Sequence, residues 1–243
     1  MLTKDELTRY DRQMMISGFG RKGQEKLKRT TVFVAGAGGL GSPVSIYLAV
    51  AGIGNLKIVD NDEVELSNLN RQVLHWNKDI GKEKSLSAKE KISQINPDVK
   101  IDATCETISE GNVFELVGGC DMIVDAMDNF PTRYLLNRAA IEKKIPFFHG
   151  GIYGFEGRAM TIIPGETACL RCIFPKAPPK ETFPVIGVAP GVIGCIQVSE
   201  VVKYVVGIGE LLKDRLLIYD GLSSRFTEIK IKRDQKCVDC GSG

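Results

Sequence analysis

Thr31–Gly41, which reads TVFVAGAGGLG, is the stretch that decides the fold. Its first half is β-branched and apolar, as in a buried strand, and apolar residues recur at helical spacing after Gly41. Between them lie Gly36, Gly38 and Gly39, where the absence of a side chain lets the backbone approach a phosphate. The following helix would offer its free N–H groups to that phosphate. The stretch therefore predicts a strand, a tight turn and a helix around a nucleotide, with a purely structural glycine turn as the alternative.

Polar residues follow the next strand-like run, Leu56–Val59. Asp60 ends this run, where a carboxylate that binds a ribose is expected after such a glycine turn. The segment Asn61–His75, NDEVELSNLNRQVLH, then shows neither a helical nor a strand period. Because ligand residues of an open α/β sheet lie just beyond strand ends, we expect a long ligand-binding loop here. A polar surface loop is the alternative.

Composition and charge restrict the class of protein. The chain has 243 residues, of which 43% are hydrophobic, and this is enough for one sizeable core. Its 32 Lys and Arg nearly balance 30 Asp and Glu, so the bulk charge does not indicate nucleic acid or an anionic membrane as a partner. No apolar run approaches the length of a membrane span, and the polar N-terminus does not resemble a signal peptide. We therefore expect a cytoplasmic protein, in which seven cysteines favour metal or redox chemistry over disulfides.

Strand-like runs and helical patterns alternate as far as Gly150. The runs after the opening unit are Leu56–Val59, Val99–Thr104, Met122–Asp125 and Pro146–His149. This alternation predicts an α/β fold with a Rossmann-like, doubly wound, mostly parallel sheet. Arg158–Ile163 then follows without an intervening helix, and the last two runs, Leu216–Tyr219 and Phe226–Ile231, are typical of a hairpin. The sheet is therefore expected to continue in antiparallel strands.

Two helical patterns and one irregular segment complete the outline. Gly81–Ile95 is amphipathic, and Val192–Val206 is apolar. The segment Phe174–Val188, which precedes the second helix, contains four prolines. Its composition predicts an irregular, mobile segment that lies over a site.

Two CxxC pairs have the most specific spacing in the chain. They are Cys169 with Cys172 and Cys237 with Cys240. Two such pairs supply the four thiolates of a tetrahedral Zn²⁺ site, which would tie the crossover region after Cys169 to the C-terminus. A closed four-thiolate site leaves no open coordination position, so we expect a structural role. Two redox pairs are a weaker alternative, because neither pair is expected to open a helix after a strand.

A second group of residues lies at strand ends or on the helix after the polar loop. Its members are Asp60, Asn68, Arg71, Lys84 and Asp128. A nucleoside triphosphate needs cations on its phosphates, an acceptor for its ribose and a carboxylate that holds Mg²⁺, and this group supplies each of them. An NAD(P)-dependent oxidoreductase would leave the two cations and Asp128 without a role. That alternative would also need a proton-handling residue, for which only His75 and His149 are available.

Several motifs together resemble the ThiF/MoeB/HesA family of ubiquitin-activating-enzyme-like adenylyltransferases, which act on small sulfur-carrier proteins. They are RYDRQ at 9–13, GAGGLGS at 36–42, NDEVELSNLNRQ at 61–72, Lys84, DAMDN at 125–129 and the two CxxC pairs. The resemblance spans nearly the whole chain and implies one adenylation domain over 1–243. Within it, 1–30 would form a helical arm, 31–150 the nucleotide-binding half, and 151–243 the half that binds zinc and the carrier.

The resemblance implies an activity. The chain would use ATP to adenylate the C-terminal glycine carboxylate of a MoaD- or ThiS-type carrier that ends in Gly-Gly, and would release pyrophosphate. The implied assembly is a homodimer, and the implied pathways are of the molybdopterin or thiamine type. A separate protein would donate the sulfur, since no rhodanese-like domain follows. Adenylation of a peptide or small-molecule carboxylate is the alternative.

The resemblance also implies roles for individual residues. The glycine turn, including Gly39, would lie under the nucleotide, and Asp60 would bind the ribose hydroxyls. The remaining implied contacts are Asn68, Arg71 and Lys84 on the phosphates, Asp128 on Mg²⁺ with Asn129 beside it, and Arg12 on the triphosphate of the partner subunit. Several relatives have a cysteine shortly before Gly187, where this chain reads TFPVI at 182–186, so no enzyme–carrier thioester is expected.

Overall fold

The computed structural model describes residues 1–178 and 183–241, and their strands form an eight-stranded sheet. The strands are β1 Thr31–Ala35, β2 Asn55–Val59, β3 Lys100–Thr104, β4 Met122–Asp125, β5 Phe147–Tyr153, β6 Glu156–Ile162, β7 Arg215–Asp220 and β8 Arg225–Lys230. Their order across the sheet is β3-β2-β1-β4-β5-β6-β7-β8. The first five strands pair in parallel and the last three continue antiparallel. The predicted α/β sheet, parallel and then antiparallel, is confirmed.

Helices cover both faces of this sheet. They are α1 Lys4–Arg9, α2 Asp11–Met14, α3 Gly20–Arg29, α4 Gly41–Ala51, α5 Lys84–Ile95, α6 Val113–Leu116, α7 Phe130–Lys143, α8 Leu170–Ile173 and α9 Val188–Val206. On one face, buried apolar residues of α3, α4, α5 and α9 form a core with β1 and β2. On the other face, α6, α7 and α8 pack over β4, β5 and β6. The parallel strands are buried from both sides, which explains their continuous apolar runs.

Two helices begin at other positions than the pattern predicts. α5 begins at Lys84 instead of Gly81, because Gly81 has a φ of +82° and lies outside the right-handed helical region. α9 begins at Val188, four residues before the predicted start. Pro190 falls in its first turn, where the backbone nitrogen has no intrahelical acceptor and proline is therefore tolerated.

α9 also corrects the expectation that no apolar run approaches the length of a membrane span. It has 19 residues with a mean hydropathy of 1.3, and it is long and apolar enough to cross a membrane by length and composition. In the fold it packs against α3, α4, β5 and β6. Two of its buried polar side chains are hydrogen-bonded: Gln197 donates to the oxygens of Asp125 in β4 and Phe148 in β5, and Glu200 accepts from Thr161 of β6 and from the N–H of Leu212. These contacts are typical of a core helix.

The proline-rich segment Phe174–Val188 is described only at its two ends, since 179–182 lie outside the described residues. Near its second end, Gly154 N–H donates to the oxygen of Pro184 at 2.7 Å, and Ile186 N–H donates to the oxygen of Gly154 at 3.2 Å. The Phe183 ring stacks on Tyr153 with 6.2 Å between centroids. This end of the segment is therefore attached to the turn between β5 and β6.

Candidate functional site

In the glycine turn between β1 and α4, backbone segments pack closely against one another. Gly36 has a φ of +99°, and a Cβ on it would lie 2.8 Å from the oxygen of Ala126. A Cβ on Gly41 would lie 2.0 Å from the oxygen of Gly36. At Gly38 and Gly39 a Cβ would meet its neighbours at 3.6 Å and 3.5 Å, which is ordinary contact. Gly36 and Gly41 are therefore required for the turn itself, whereas the fold alone does not require the other two.

Free N–H groups lie above this turn. Ser42 N–H donates to the oxygen of Gly38 at 2.9 Å, so helical hydrogen bonding begins there. The N–H groups of Gly39 and Leu40 donate to no acceptor among the described residues. They lie at the positive end of an 11-residue helix and can bind an anion, as the sequence predicts.

Asp60 lies beside the turn at the end of β2. One of its carboxylate oxygens accepts the N–H of Ala37 at 2.7 Å, and the other accepts the N–H of Asp62 at 2.9 Å. Burial raises the pKa of Asp60 above its usual value despite these two donors. The carboxylate is thus fixed next to the glycine turn, where a ribose acceptor is expected.

From the sequence His75 is considered only as a proton-handling residue, but the structure places it against the glycine turn. His75 is buried, and its Nε2 lies 2.8 Å from the oxygen of Ala37 while its Nδ1 lies 2.9 Å from Ser87 Oγ. A carbonyl oxygen only accepts, so Nε2 carries the proton. Burial lowers the pKa of His75, which keeps the ring neutral. His75 therefore supports the turn and does not handle a substrate proton.

The side-chain stem of Arg71 lies next to the glycine turn. Its Cγ would lie 3.8 Å from a Cβ on Gly39, and its Nη1 donates to the oxygen of Ser67 at 2.8 Å and to Asn70 Oδ1 at 2.9 Å. Asn68 is buried in the short 3₁₀ turn of this loop, where its Oδ1 accepts the N–H of Glu65 at 3.2 Å. The structure thus brings Arg71 to the turn and gives Asn68 a part in holding the loop.

Lys84 enters the same region from the first residue of α5. Its Nζ lies 2.8 Å from Asp62 Oδ2, and its backbone N–H donates to the oxygen of Asp62 at 2.9 Å. The Lys84 side chain is only 7% exposed, whereas that of Asp62 is 60% exposed. Asp62 also donates its N–H to Asp60, so the ammonium group is fixed close to the predicted ribose acceptor.

The loop after β4 carries Asp128 and Asn129. Asp128 is exposed, and Asn129 Oδ1 accepts the N–H of Thr132 at 2.9 Å, which caps α7. The side chain of Met127 would lie 3.6 Å from a Cβ on Gly36, so the loop passes next to the glycine turn. The loop that carries the exposed carboxylate of Asp128 therefore runs beside the glycine turn, and the amide of Asn129 caps α7.

A buried charged cluster holds this loop in place. Asp125 Oδ2 lies 2.7 Å from His149 Nδ1 and 3.3 Å from Arg133 Nε, and Asp125 Oδ1 accepts the N–H of Met127 at 3.0 Å. Arg133 Nη2 also donates to the oxygens of Met127 and Gly150, at 2.5 Å and 2.9 Å. Burial opposes ionisation of Asp125, but the charge of Arg133 and the His149 hydrogen bond together lower its pKa. Both histidines of the chain are therefore engaged in structure.

In the structure, Arg12 is not brought to the glycine turn of its own chain. It is exposed in α2 and makes no hydrogen bond or ion pair with the described residues. Its neighbour Gln13 donates to the oxygen of Ala51 at 2.8 Å, at the C-terminal end of α4. The 11 residues of α4 span about 16 Å, so Arg12 lies at the far end of the helix from the glycine turn.

The four cysteines of the CxxC pairs form one cluster. All four Sγ atoms lie within 4.8 Å of one another. The separations are 3.9 Å for Cys169–Cys172 and 3.5 Å each for Cys169–Cys237 and Cys172–Cys240. A tetrahedron with Zn–S bonds of about 2.3 Å has edges of about 3.8 Å, so the cluster fits zinc. Bound there, zinc would cross-link α8 to the C-terminus and stabilise the thiolate form.

The surroundings of this cluster connect it to α7. Burial raises the pKa of Cys172 to about 11, so its thiolate needs a cation at neutral pH. Asn137 accepts the N–H of Leu170 at 3.0 Å and donates to Asp239 at 2.8 Å. Cys169 is the N-cap of α8, so the first pair opens a four-residue helix, but seven residues separate this helix from the end of β6. The clustering of all four thiols nevertheless favours one metal site over two redox pairs.

The chain is similar in sequence to known proteins over nearly its whole length. The sequence profile of the ThiF family matches residues 10–239. The SAMP-activating enzyme E1 of Haloferax volcanii is 44% identical over 248 residues, which cover 100% of this chain and 92% of that protein. The sulfur carrier protein adenylyltransferase of Thermus thermophilus is 43% identical over 250 residues, which cover 98% of this chain and 92% of that protein.

Solved structures share the fold at lower identity. The crystal structure of E. coli MccB superimposes with a TM-score of 0.88 and 23% identity, and it covers 100% of this chain and 74% of that one. The overall fold is therefore shared with a protein of quite different sequence.

Proposed function

This chain belongs to the ThiF family, and on that premise we propose that it adenylates the C-terminal glycine carboxylate of a small ubiquitin-like sulfur carrier at the expense of ATP. Two relatives at 44% and 43% identity are named for SAMP activation and for sulfur carrier adenylylation. The observation that carries the proposal is the convergence of cations on one glycine turn. The stem of Arg71 lies next to Gly39, and Lys84 pairs with Asp62, whose N–H donates to Asp60.

The proposed chemistry makes use of these charges. A carboxylate oxygen of the carrier attacks the α-phosphorus of ATP, the bond from that phosphorus to the bridging oxygen breaks, and pyrophosphate leaves. The products are the acyl-adenylate and pyrophosphate. Because two anions approach each other, Arg71, Lys84 and the free N–H groups of the turn stabilise the charge that develops on the phosphates.

Mg²⁺ is part of the proposal. Asp128 has an exposed carboxylate in the loop after β4, and it is the residue that would hold the ion. Mg²⁺ prefers oxygen ligands and would neutralise phosphate charge there. Burial raises the pKa of Asp60, and that carboxylate is already engaged by two N–H groups, so it suits ribose hydroxyls better than a metal.

The partners are also proposed. A homodimer is supported by exposed apolar side chains on α4 and after α2: Met15 is 70% exposed, Ile16 53%, Tyr47 50% and Val50 41%. Exposed apolar side chains suit a subunit interface, across which Arg12 would reach the nucleotide of the partner. The carrier would end in Gly-Gly and be of MoaD or ThiS type, a separate protein would donate sulfur, and the reaction would take place in the cytoplasm.

ATP–pyrophosphate exchange, measured with small Gly-Gly-ending carriers from the same genome, tests the function. We expect exchange that depends on one carrier and on Mg²⁺, and we expect Asp128→Ala to abolish it. Because Asp128 is exposed, its loss should leave the melting temperature within a few degrees of wild type. Asp98→Ala, which removes another exposed carboxylate at the far end of α5, is the matched control and should keep full exchange.

Two outcomes would contradict the proposal. Tight NAD(H) binding with hydride transfer would establish the oxidoreductase alternative, which lacks a free proton-handling histidine here. Exchange supported only by a peptide or a small carboxylate, and by no carrier, would assign the same site to the other substrate class.

A further inference from the structure

Arg158 is a charged residue at the site that the proposed function does not use. It lies on β6 opposite Gly151 of β5, two residues beyond His149, which pairs with the last residue of β4. At about 3.3 Å per residue, its position is some 7 Å past Asp125 along the strand direction, at the edge where the Asp128 loop emerges.

The side chain of Arg158 is held in place by its surroundings. Its Nε donates to His149 Nε2 at 3.4 Å. Its guanidinium carbon lies 4.7 Å from the centre of the Phe174 ring and 5.7 Å from that of Phe130. A Cβ on Gly151 would lie 2.8 Å from Nε, so the guanidinium occupies space that only glycine leaves open.

The buried cluster around Arg158 carries an unbalanced positive charge. Asp125 is negative and Arg133 is positive, so the charges of these two side chains cancel. Burial lowers the pKa of His149 to about 4, so this ring is neutral at physiological pH. Arg158 adds a second positive charge, and its two terminal nitrogens have no hydrogen-bond partner among the described residues. A partly buried cation without a counter-charge is costly and suits an anionic ligand.

The chain segments around Arg158, at this edge of the sheet, indicate the class of ligand that it can bind. Residues 184–186 run beside Gly154 at the turn between β5 and β6, and Phe174 contacts the guanidinium from the other end of the same segment. Phe130, which also contacts Arg158, lies two residues after Asp128. We propose that Arg158 binds the C-terminal carboxylate of the substrate before adenylation, as a specificity residue for a free acid. This inference rests on the proposed function.

Arg158→Gln tests it, since glutamine can still donate to His149 but carries no charge. The measured quantity is the ratio of dissociation constants for the C-terminal amide and the free acid of the carrier that supports exchange, by calorimetry without ATP. We expect wild type to prefer the acid about tenfold, as a charge-assisted hydrogen bond implies, and Arg158→Gln to lose the preference. Arg158→Lys should retain part of it. Arg138→Gln, which removes an exposed cation of α7 paired with Glu110, should retain all of it.

The ratio compares two ligands on one variant, so a general loss of stability does not change it. An acid preference that persists in Arg158→Gln would overturn the inference. The inference would also be overturned if the preference for the acid were unchanged and the KM for pyrophosphate were raised. Arg158 would then act on the leaving group.

A second probe needs no carrier and separates this inference from the proposed function. N-acetylglycylglycine should raise the melting temperature of wild type more than its amide does, and Arg158→Gln should abolish the difference. Equal effects of the acid and the amide on wild type would refute a carboxylate site even if exchange occurs. A difference that depends on Arg158 would support it even if no carrier is found.

Discussion

His75 and His149, the two histidines of the chain, each use both ring nitrogens inside the fold. One supports the glycine turn and the other anchors the loop of Asp128 through Asp125. Neither faces a substrate with a free nitrogen, although histidine is the residue first considered for proton transfer at neutral pH. Adenylation of a carboxylate needs no general base, because the nucleophile is already ionised.

The burial of these rings predicts acid sensitivity. Burial lowers the pKa of His149 to about 4 and also lowers that of His75. Below pH 6.5 or so the unfolded chain binds protons that the native chain does not, so the free energy of unfolding should fall as pH decreases toward 4. The shift at His149 corresponds to at most about 3 kcal/mol. Urea unfolding between pH 7.5 and pH 5 checks this, with zinc content measured at each pH.

His149→Gln is the control for this pH dependence. It should be less stable than wild type at pH 7.5 and show a shallower loss toward pH 5, since one of the two titrating rings is removed. A stability that does not change between pH 7 and pH 5 with zinc retained would contradict the assignment of neutral buried rings.

Cys195 is the cysteine nearest along the chain to Gly187, before which the family resemblance implies a cysteine. It lies in α9, partly buried, and burial raises the pKa of its thiol, so little thiolate forms at neutral pH. We therefore expect the reaction to stop at the acyl-adenylate. With ATP and the carrier, a non-reducing gel should show no thiol-sensitive enzyme–carrier adduct. An adduct that disappears in Cys195→Ala would show that this thiol is reactive.

At the scale of elements, the sequence predicts the strands well and the polar contacts poorly. Runs such as Met122–Asp125 are apolar and bounded by turn residues, so their position follows from composition alone. The cluster of Asp125, Arg133 and His149 joins β4, α7 and β5, and no local pattern indicates that these residues meet. Lys91 of the amphipathic helix α5 is buried and pairs with Asp79, which the sequence pattern does not indicate either.

The four-thiol cluster connects α8 to Cys237 and Cys240. Its thiols come from segments that are 68 residues apart, so a zinc ion bound there would close a long loop and should stabilise the native state strongly. We expect about one zinc per chain by metal analysis. Chelation or Cys172→Ser should lower the melting temperature, whereas Cys105→Ser, at an exposed thiol outside the cluster, should not.

The metal prediction also concerns activity. Because the cluster lies beside α7 and away from the glycine turn, partial zinc loss should reduce activity only in proportion to the unfolded fraction. A zinc content that is unchanged after replacement of all four cysteines would refute the assignment.

At the scale of the whole molecule, the position of Arg12 requires a second subunit for the proposed role. We expect Arg12→Ala and Asp128→Ala each to be inactive alone and to regain activity when mixed. In a hybrid dimer one site has both residues and the other has neither, so a statistical mixture should reach about a quarter of wild-type exchange. Light scattering verifies the dimer, and full exchange by a strictly monomeric form would contradict a role in trans.

The helix α4 has a consequence for how this chain can change. Its first turn carries the free N–H groups of Gly39 and Leu40, and its last carbonyl, that of Ala51, receives Gln13 beside Arg12. Its length of 11 residues therefore fixes the distance between the glycine turn, which would bind the nucleotide of its own subunit, and Arg12, which would bind the nucleotide of the partner subunit. One inserted residue would rotate Arg12 by about 100° and advance it by about 1.5 Å. We therefore expect insertions to be tolerated in surface loops such as that between α6 and β4, and never within α4.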